Sequence, residues 1–69
     1  MDVAKKIGNN LKQARKDKKM TQSDVAKLLY MTQQQYSRFE NGVFELNYSQ
    51  IIILCDLFDI SANDLFSMS

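Results

Sequence analysis

Four stretches of this 69-residue chain have the form of a helix start. In a capping box, a Ser or Thr at the N-cap and an acid or amide three residues later bond each other's backbone N–H groups, so two orphan donors are satisfied reciprocally. Thr21-x-x-Asp24, Thr32-x-x-Gln35 and Ser61-x-x-Asp64 have that form, and Asn47-x-x-Gln50 is a looser version. Each precedes an apolar pattern, and so many in so short a chain point to a helical array. With two glycines and no proline, a β-sandwich or a Gly-rich nucleotide loop has little to turn on. Cys55 is the single cysteine and histidine is absent, which excludes an internal disulfide and a Cys/His zinc site. The chain is 45% hydrophobic and 25% charged, a globular balance. The expected fold is all-α: one compact five-helix domain over residues 1–69. Domains of this size need staples or economical packing, and staples are scarce here.

The periodicities place the helices. Val3, Ile7, Leu11 and Ala14 make one apolar stripe on a first helix spanning roughly residues 2–18. Lys16, Lys18 and Lys19 near its end complement the helix dipole. Val25, Ala26 and Leu29 form the inner face of a second helix, roughly 22–29. Tyr36 and Phe39 do so for a third, roughly 33–41, which Asn41-Gly42 ends with glycine at C′. After a loop, a fourth helix over roughly 48–58 turns Ile51, Leu54, Cys55 and Phe58 inward, and Ile52 is also assigned to the core. Asp59 is the expected left-handed turn residue, and a fifth helix over roughly 62–67 buries Leu65. Tyr36 is read as a core residue with its hydroxyl at the rim, and Cys55 as filling a buried apolar slot.

The net charge of +1 is a cancellation. Residues 1–20 hold seven bases against two acids, and residues 21–69 hold two bases against six acids. Such a chain can present a basic surface while near neutral overall. The longest apolar run, Ile51 to Cys55, is far short of the roughly 20 residues that span a bilayer. No secretory signal follows Lys5 and Lys6, and a lone cysteine fits a reducing compartment, so the expected location is the cytoplasm.

Helices two and three, joined by Tyr30, Met31 and Thr32, have the dimensions of a helix-turn-helix. At about 100° per residue from Gln33, Ser37 lies near 40°, Asn41 near 80°, Gln34 near 100° and Arg38 near 140°. Tyr36 and Phe39 occupy the opposite, apolar arc. A solvated surface face ordinarily mixes Glu and Lys, and this arc has neither. Its residues suit base edges: Gln bonds adenine N6/N7 bidentately, Arg bonds guanine O6/N7, and Ser or Asn serve bases or phosphates.

LKQARKDKKMTQSDVAKLL, TQQQYSRFENG and IIILCDLFDISANDLF occur in the order and spacing typical of one family. Over nearly its whole length the sequence resembles the Cro/C1-type (XRE, phage-repressor-like) helix-turn-helix proteins, which implies a lambda-repressor-like fold. The resemblance implies that Gln33, Gln34, Ser37 and Arg38 read bases in the major groove. Gln22, Thr32 and Asn41 would hold phosphate, and Arg15 and Glu40 match an internal ion pair. The chain departs from the family at Tyr30, where glycine is usual; a bulky residue at positive φ there costs about 1 kcal/mol. The loop Val43-Phe44-Glu45-Leu46 lacks the usual basic groups, which leaves the Gly42 N–H as the phosphate donor on that side.

Few phosphate contacts imply a weakly binding monomer, and pairing would compensate. Ile53 and Leu57, together with Phe44, Phe66 and Met68, are candidates for an exposed patch that forms a two-fold dimer. Such a dimer predicts a pseudo-palindromic operator. The expected function is a double-stranded-DNA-binding transcriptional regulator, a homodimeric repressor in the simplest case. The alternative is a protein-interaction module, such as an antitoxin or adaptor, using the apolar face of helix four. No nucleophile–base pair, paired-carboxylate cleft or phosphate loop is present, so catalysis, cofactors, metals and small-molecule ligands are not expected.

Overall fold

A computed structural model describes residues 2–67 as five helices with no strand among them: α1 (Val3–Asp17), α2 (Gln22–Leu28), α3 (Gln33–Glu40), α4 (Tyr48–Phe58) and α5 (Ala62–Leu65). All four capping boxes form, with both partners engaged, at α2, α3, α4 and α5. Asp2 caps α1 by accepting from the Lys5 N–H at 3.2 Å. Helices α1, α2, α3 and α5 end one or two residues short of the periodicity, whereas α4 ends at Phe58 as the pattern predicts.

The C-terminal ends of α1, α2, α3 and α4 share one geometry. Lys19, Tyr30, Gly42 and Asp59 all have positive φ, between 54° and 74°. The N–H of each following residue returns to the carbonyl five positions back: Met20 to Arg15, Met31 to Ala26, Val43 to Arg38 and Ile60 to Cys55. This Schellman closure satisfies helix-end carbonyls. Met20, Met31 and Ile60 then fold in against the core. Burying that apolar side chain opposes the strain of the non-glycine residue before it.

The core gathers Leu11 and Ala14 from α1, Val25 and Ala26 from α2, Tyr36 and Phe39 from α3, Leu54 and Phe58 from α4, and Leu65 from α5. Asn10 of α1 donates to the carbonyls of Leu65 and Ser67 at 2.8 and 3.0 Å, tying the C-terminal segment to the first helix. Three apolar assignments change. Val3, in the first turn of α1, is 53% exposed. Ile52 is not a core residue but is 69% exposed, because Leu54 and Phe58 fix the inward face of α4 and turn Ile52 outward. Cys55 is only partly buried, at the edge of that face.

Both glycines serve the junction of α1 with the end of α3. Gly8 is buried in α1, where a Cβ would strike the carbonyl oxygens of Glu40 and Phe39, the latter at 2.6 Å. Gly42, at φ 74°, lies so close to α1 that a Cβ would come within 2.7 Å of Lys5 Cα. Backbone meets backbone there, so no side chain can yield. Gly8→Ala should therefore cost about 2–3 kcal/mol in urea unfolding, although alanine in an open helix position stabilises. Tyr30 is 97% exposed, so Tyr30→Gly loses no packing. It should raise stability by about 0.5–1 kcal/mol in the same measurement.

Candidate nucleic-acid interface

The core residues Tyr36 and Phe39 anchor one side of α3, so the opposite side is presented outward. Gln33, Gln34 and Arg38 are exposed there, with Ser37 half-buried and Asn41 exposed at the end. The Asn41 side-chain amide donates to Ser37 Oγ at 3.2 Å. The outward face carries amide, hydroxyl and guanidinium groups, which can donate or accept at base edges.

Behind this face lies a buried polar cluster. Arg15 is 8% exposed and Glu40 is 3% exposed. Arg15 donates from Nε to Glu40 Oε2 at 2.7 Å and from Nη2 to Oε1 at 3.1 Å, and its Nη1 bonds the Met20 carbonyl at 2.8 Å. Gln22 donates from Nε2 to Glu40 Oε1 at 3.1 Å. Gln33 in turn donates from Nε2 to Gln22 Oε1 at 3.2 Å. Gln33, the first residue of α3, is thus tied to the buried ion pair through a single amide.

Burial would raise the Glu40 carboxyl, but the hydrogen bonds from Arg15 and Gln22, together with the adjacent Tyr36 hydroxyl, outweigh it and hold the group below the ordinary carboxylate value. The Tyr36 hydroxyl does not reach the rim. It is sealed from solvent beside Glu40 without a well-aligned partner. Burial, and then the neighbouring carboxylate, push this phenol far above its ordinary value. At the exposed end, the Asp24 carboxyl is lowered by its hydrogen bonds to Thr21, as a working capping box requires.

The structure divides the residues that sequence reasoning grouped beyond α3. The Gly42 N–H is donated to the Phe39 carbonyl at 3.2 Å within the cap. Beside it stands Lys5, an exposed residue on α1 whose backbone passes against Gly42. Sequence reasoning missed this placement, because nothing local links Lys5 to Gly42. Phe44 and Phe66 line one cavity of about 180 Å³ with Ile51, and neither Ile53 nor Leu57 lines it. Ile53 is 47% exposed, whereas Leu57 is half-buried against the core. Met68 lies outside the described residues. Phe44 also packs edge-to-face on Phe39, with ring centroids 6.2 Å apart, and carries the Arg38 guanidinium 5.5 Å from its ring centre. Among the described residues, no cluster of His, Cys, Asp and Glu could hold a metal ion, and no helix is long and apolar enough to cross a membrane.

Comparison with known proteins adds a sequence-level result. The profile described as helix-turn-helix matches residues 11–65, from within α1 to the end of α5. Over 59 residues, 86% of its length, the chain is 34% identical to antitoxin PezA of Streptococcus pneumoniae serotype 4 (strain ATCC BAA-334 / TIGR4). Over 59 residues it is also 38% identical to YqaE of Bacillus subtilis (strain 168), an uncharacterized HTH-type transcriptional regulator. The aligned segments make up 37% and 51% of those proteins, so the chain corresponds to about half of them or less. No solved structure matches it.

The Glu40 shift fixes a pH dependence. The unfolded chain takes up this proton near pH 4.3, the folded protein only at lower pH. The stability it contributes is complete above the ordinary carboxylate range and is lost as pH falls through the folded value. Glu40→Gln should cost about 3 kcal/mol near neutral pH, since it strands a buried guanidinium. It should also flatten the acid limb of a stability-against-pH curve measured by denaturant unfolding.

Proposed function

The chain belongs to the Cro/C1-type helix-turn-helix family, and on that premise we propose that it regulates transcription by binding a specific site on double-stranded DNA. The observation that carries this reading is the outward face of α3, uncharged except for Arg38 and pinned from behind by two core aromatics. Gln33, Gln34, Ser37 and Arg38 are assigned to base edges in the major groove. Thr32 and Asn41 flank them and contact phosphate. Gln22 has one Nε2 hydrogen on Glu40 and a second to offer a phosphate oxygen. With the Gly42 N–H used in its cap, Lys5 beside it takes the phosphate on that side.

The active unit in this proposal is a homodimer joined through the outer face of α4. Ile52 and Ile53 are 69% and 47% exposed, on a helix whose inward face is already satisfied by Leu54 and Phe58. A two-fold pair would set its recognition helices about 34 Å apart, one turn of DNA, and would call for a pseudo-palindromic site. Phe44 is assigned away from this interface because it packs on Phe39 and Arg38. The likeness to antitoxin PezA favours a second reading, in which the α4 face docks a different protein.

Selection of bound sequences from a random duplex pool should return one motif with two inverted half-sites. Gln33→Ala combined with Gln34→Ala should weaken binding to that motif by about 100-fold at fixed salt; unchanged affinity would remove α3 from the groove. Ile53→Glu should shift the sedimenting species from dimer to monomer. A chain that is monomeric before the substitution instead supports the second reading.

A further inference from the structure

Phe44 is a half-exposed aromatic residue in a loop where solvent and DNA would both favour a polar group. Its surroundings give it a purpose. The N–H groups of Val43 and Phe44 both return to the Arg38 carbonyl, at 2.9 and 3.3 Å, so the loop folds back over the residue that its ring then meets. Phe39, 9% exposed and part of the core, holds that ring edge-to-face. The Arg38 guanidinium carbon lies 5.5 Å from the centre of the Phe44 ring. Among the described residues Arg38 forms no salt bridge.

The choice of an aromatic support has a chemical consequence. A carboxylate would fix the guanidinium by consuming the in-plane N–H donors, the same donors that bond guanine O6 and N7. A ring attracts the cation through its π face and leaves the in-plane fork unoccupied. We propose that Phe44 is the positioning residue for Arg38, holding its guanidinium over the ring so that its free fork selects guanine at one base pair of the bound site. This rests on the assignment of α3 to the major groove and adds to it a residue outside the recognition helix that sets specificity at one position.

The test uses the full chain with duplexes carrying the selected site and single base-pair variants of it, at fixed salt. Arg38→Ala should abolish a guanine preference at one position in each half-site. Phe44→Leu, which keeps an apolar side chain but has no π face, should reduce that same preference by about fivefold. Preferences at the positions read by Gln33 and Gln34, and the dependence of affinity on salt, should not change. Phe44→Trp should retain the guanine preference, and Phe44→Leu should have no further effect on it in an Arg38→Ala background. In the free protein, the NMR shifts of the Arg38 side chain should move toward random-coil values in Phe44→Leu and stay displaced in Phe44→Trp. Two results would overturn the proposal alone: a full guanine preference in Phe44→Leu, or an equal loss at every position, the mark of a merely structural role. A wild-type chain that selects no sequence would overturn the groove assignment and this inference with it.

Discussion

The bidentate contact between Arg15 and Glu40 is the constraint on which the arrangement of the first three helices depends. It joins α1 to the end of α3, and the same two side chains reach the Met20 carbonyl between α1 and α2 and the Gln22 amide on α2. Taking both charges out of water is costly, and such a pair adds little net stability over a well-packed apolar substitute. Its contribution here is geometric: a planar fork meeting a carboxylate tolerates little rotation or slip, so it sets where α3 ends relative to α1. Gly8 makes this possible, since only a residue without a Cβ lets α1 approach the last carbonyls of α3 closely enough.

Much of the fold was legible because its signals are local. A capping box is contained in four residues, and all four boxes form where the spacing places them. The polar arc of α3 was legible for a similar reason: eight residues at a fixed angular step divide cleanly into an aromatic side and a polar side. Helix α4 resisted that treatment. Its run Ile51-Ile52-Ile53-Leu54 is apolar on every side, so periodicity could not choose between Ile51 and Ile52 for the core, and only the packed structure turned Ile52 out. The approach of Lys5 to Gly42 and of Phe44 to Arg38 depends on how distant or irregular segments meet, and no spacing encodes that.

The helix ends follow a different economy. Four of them close with a left-handed residue, yet glycine occupies only one of these positions. Gly42 is needed at its position for the approach of α1 as well as for its φ, whereas Lys19, Tyr30 and Asp59 meet only the conformational demand. The apolar residue after each of those three is drawn into the core, so the backbone strain is matched locally by burial. A small domain can therefore do without glycine where only φ matters and must keep it where backbones touch.

The link from Gln33 through Gln22 to Glu40 makes the residues on α3 unequal as raw material for change. Among the described residues Gln34 has no hydrogen bond to the ion-pair cluster, and Arg38 meets a loop aromatic, so a lineage or a designer can exchange either one and leave the interior as it was. Gln33 is different. Replacing it leaves the Gln22 carbonyl oxygen without its donor, next to the pair that sets the register of three helices. A change at Gln33 should therefore bring a compensating change at Gln22, which exchanges at Gln34 and Arg38 do not require.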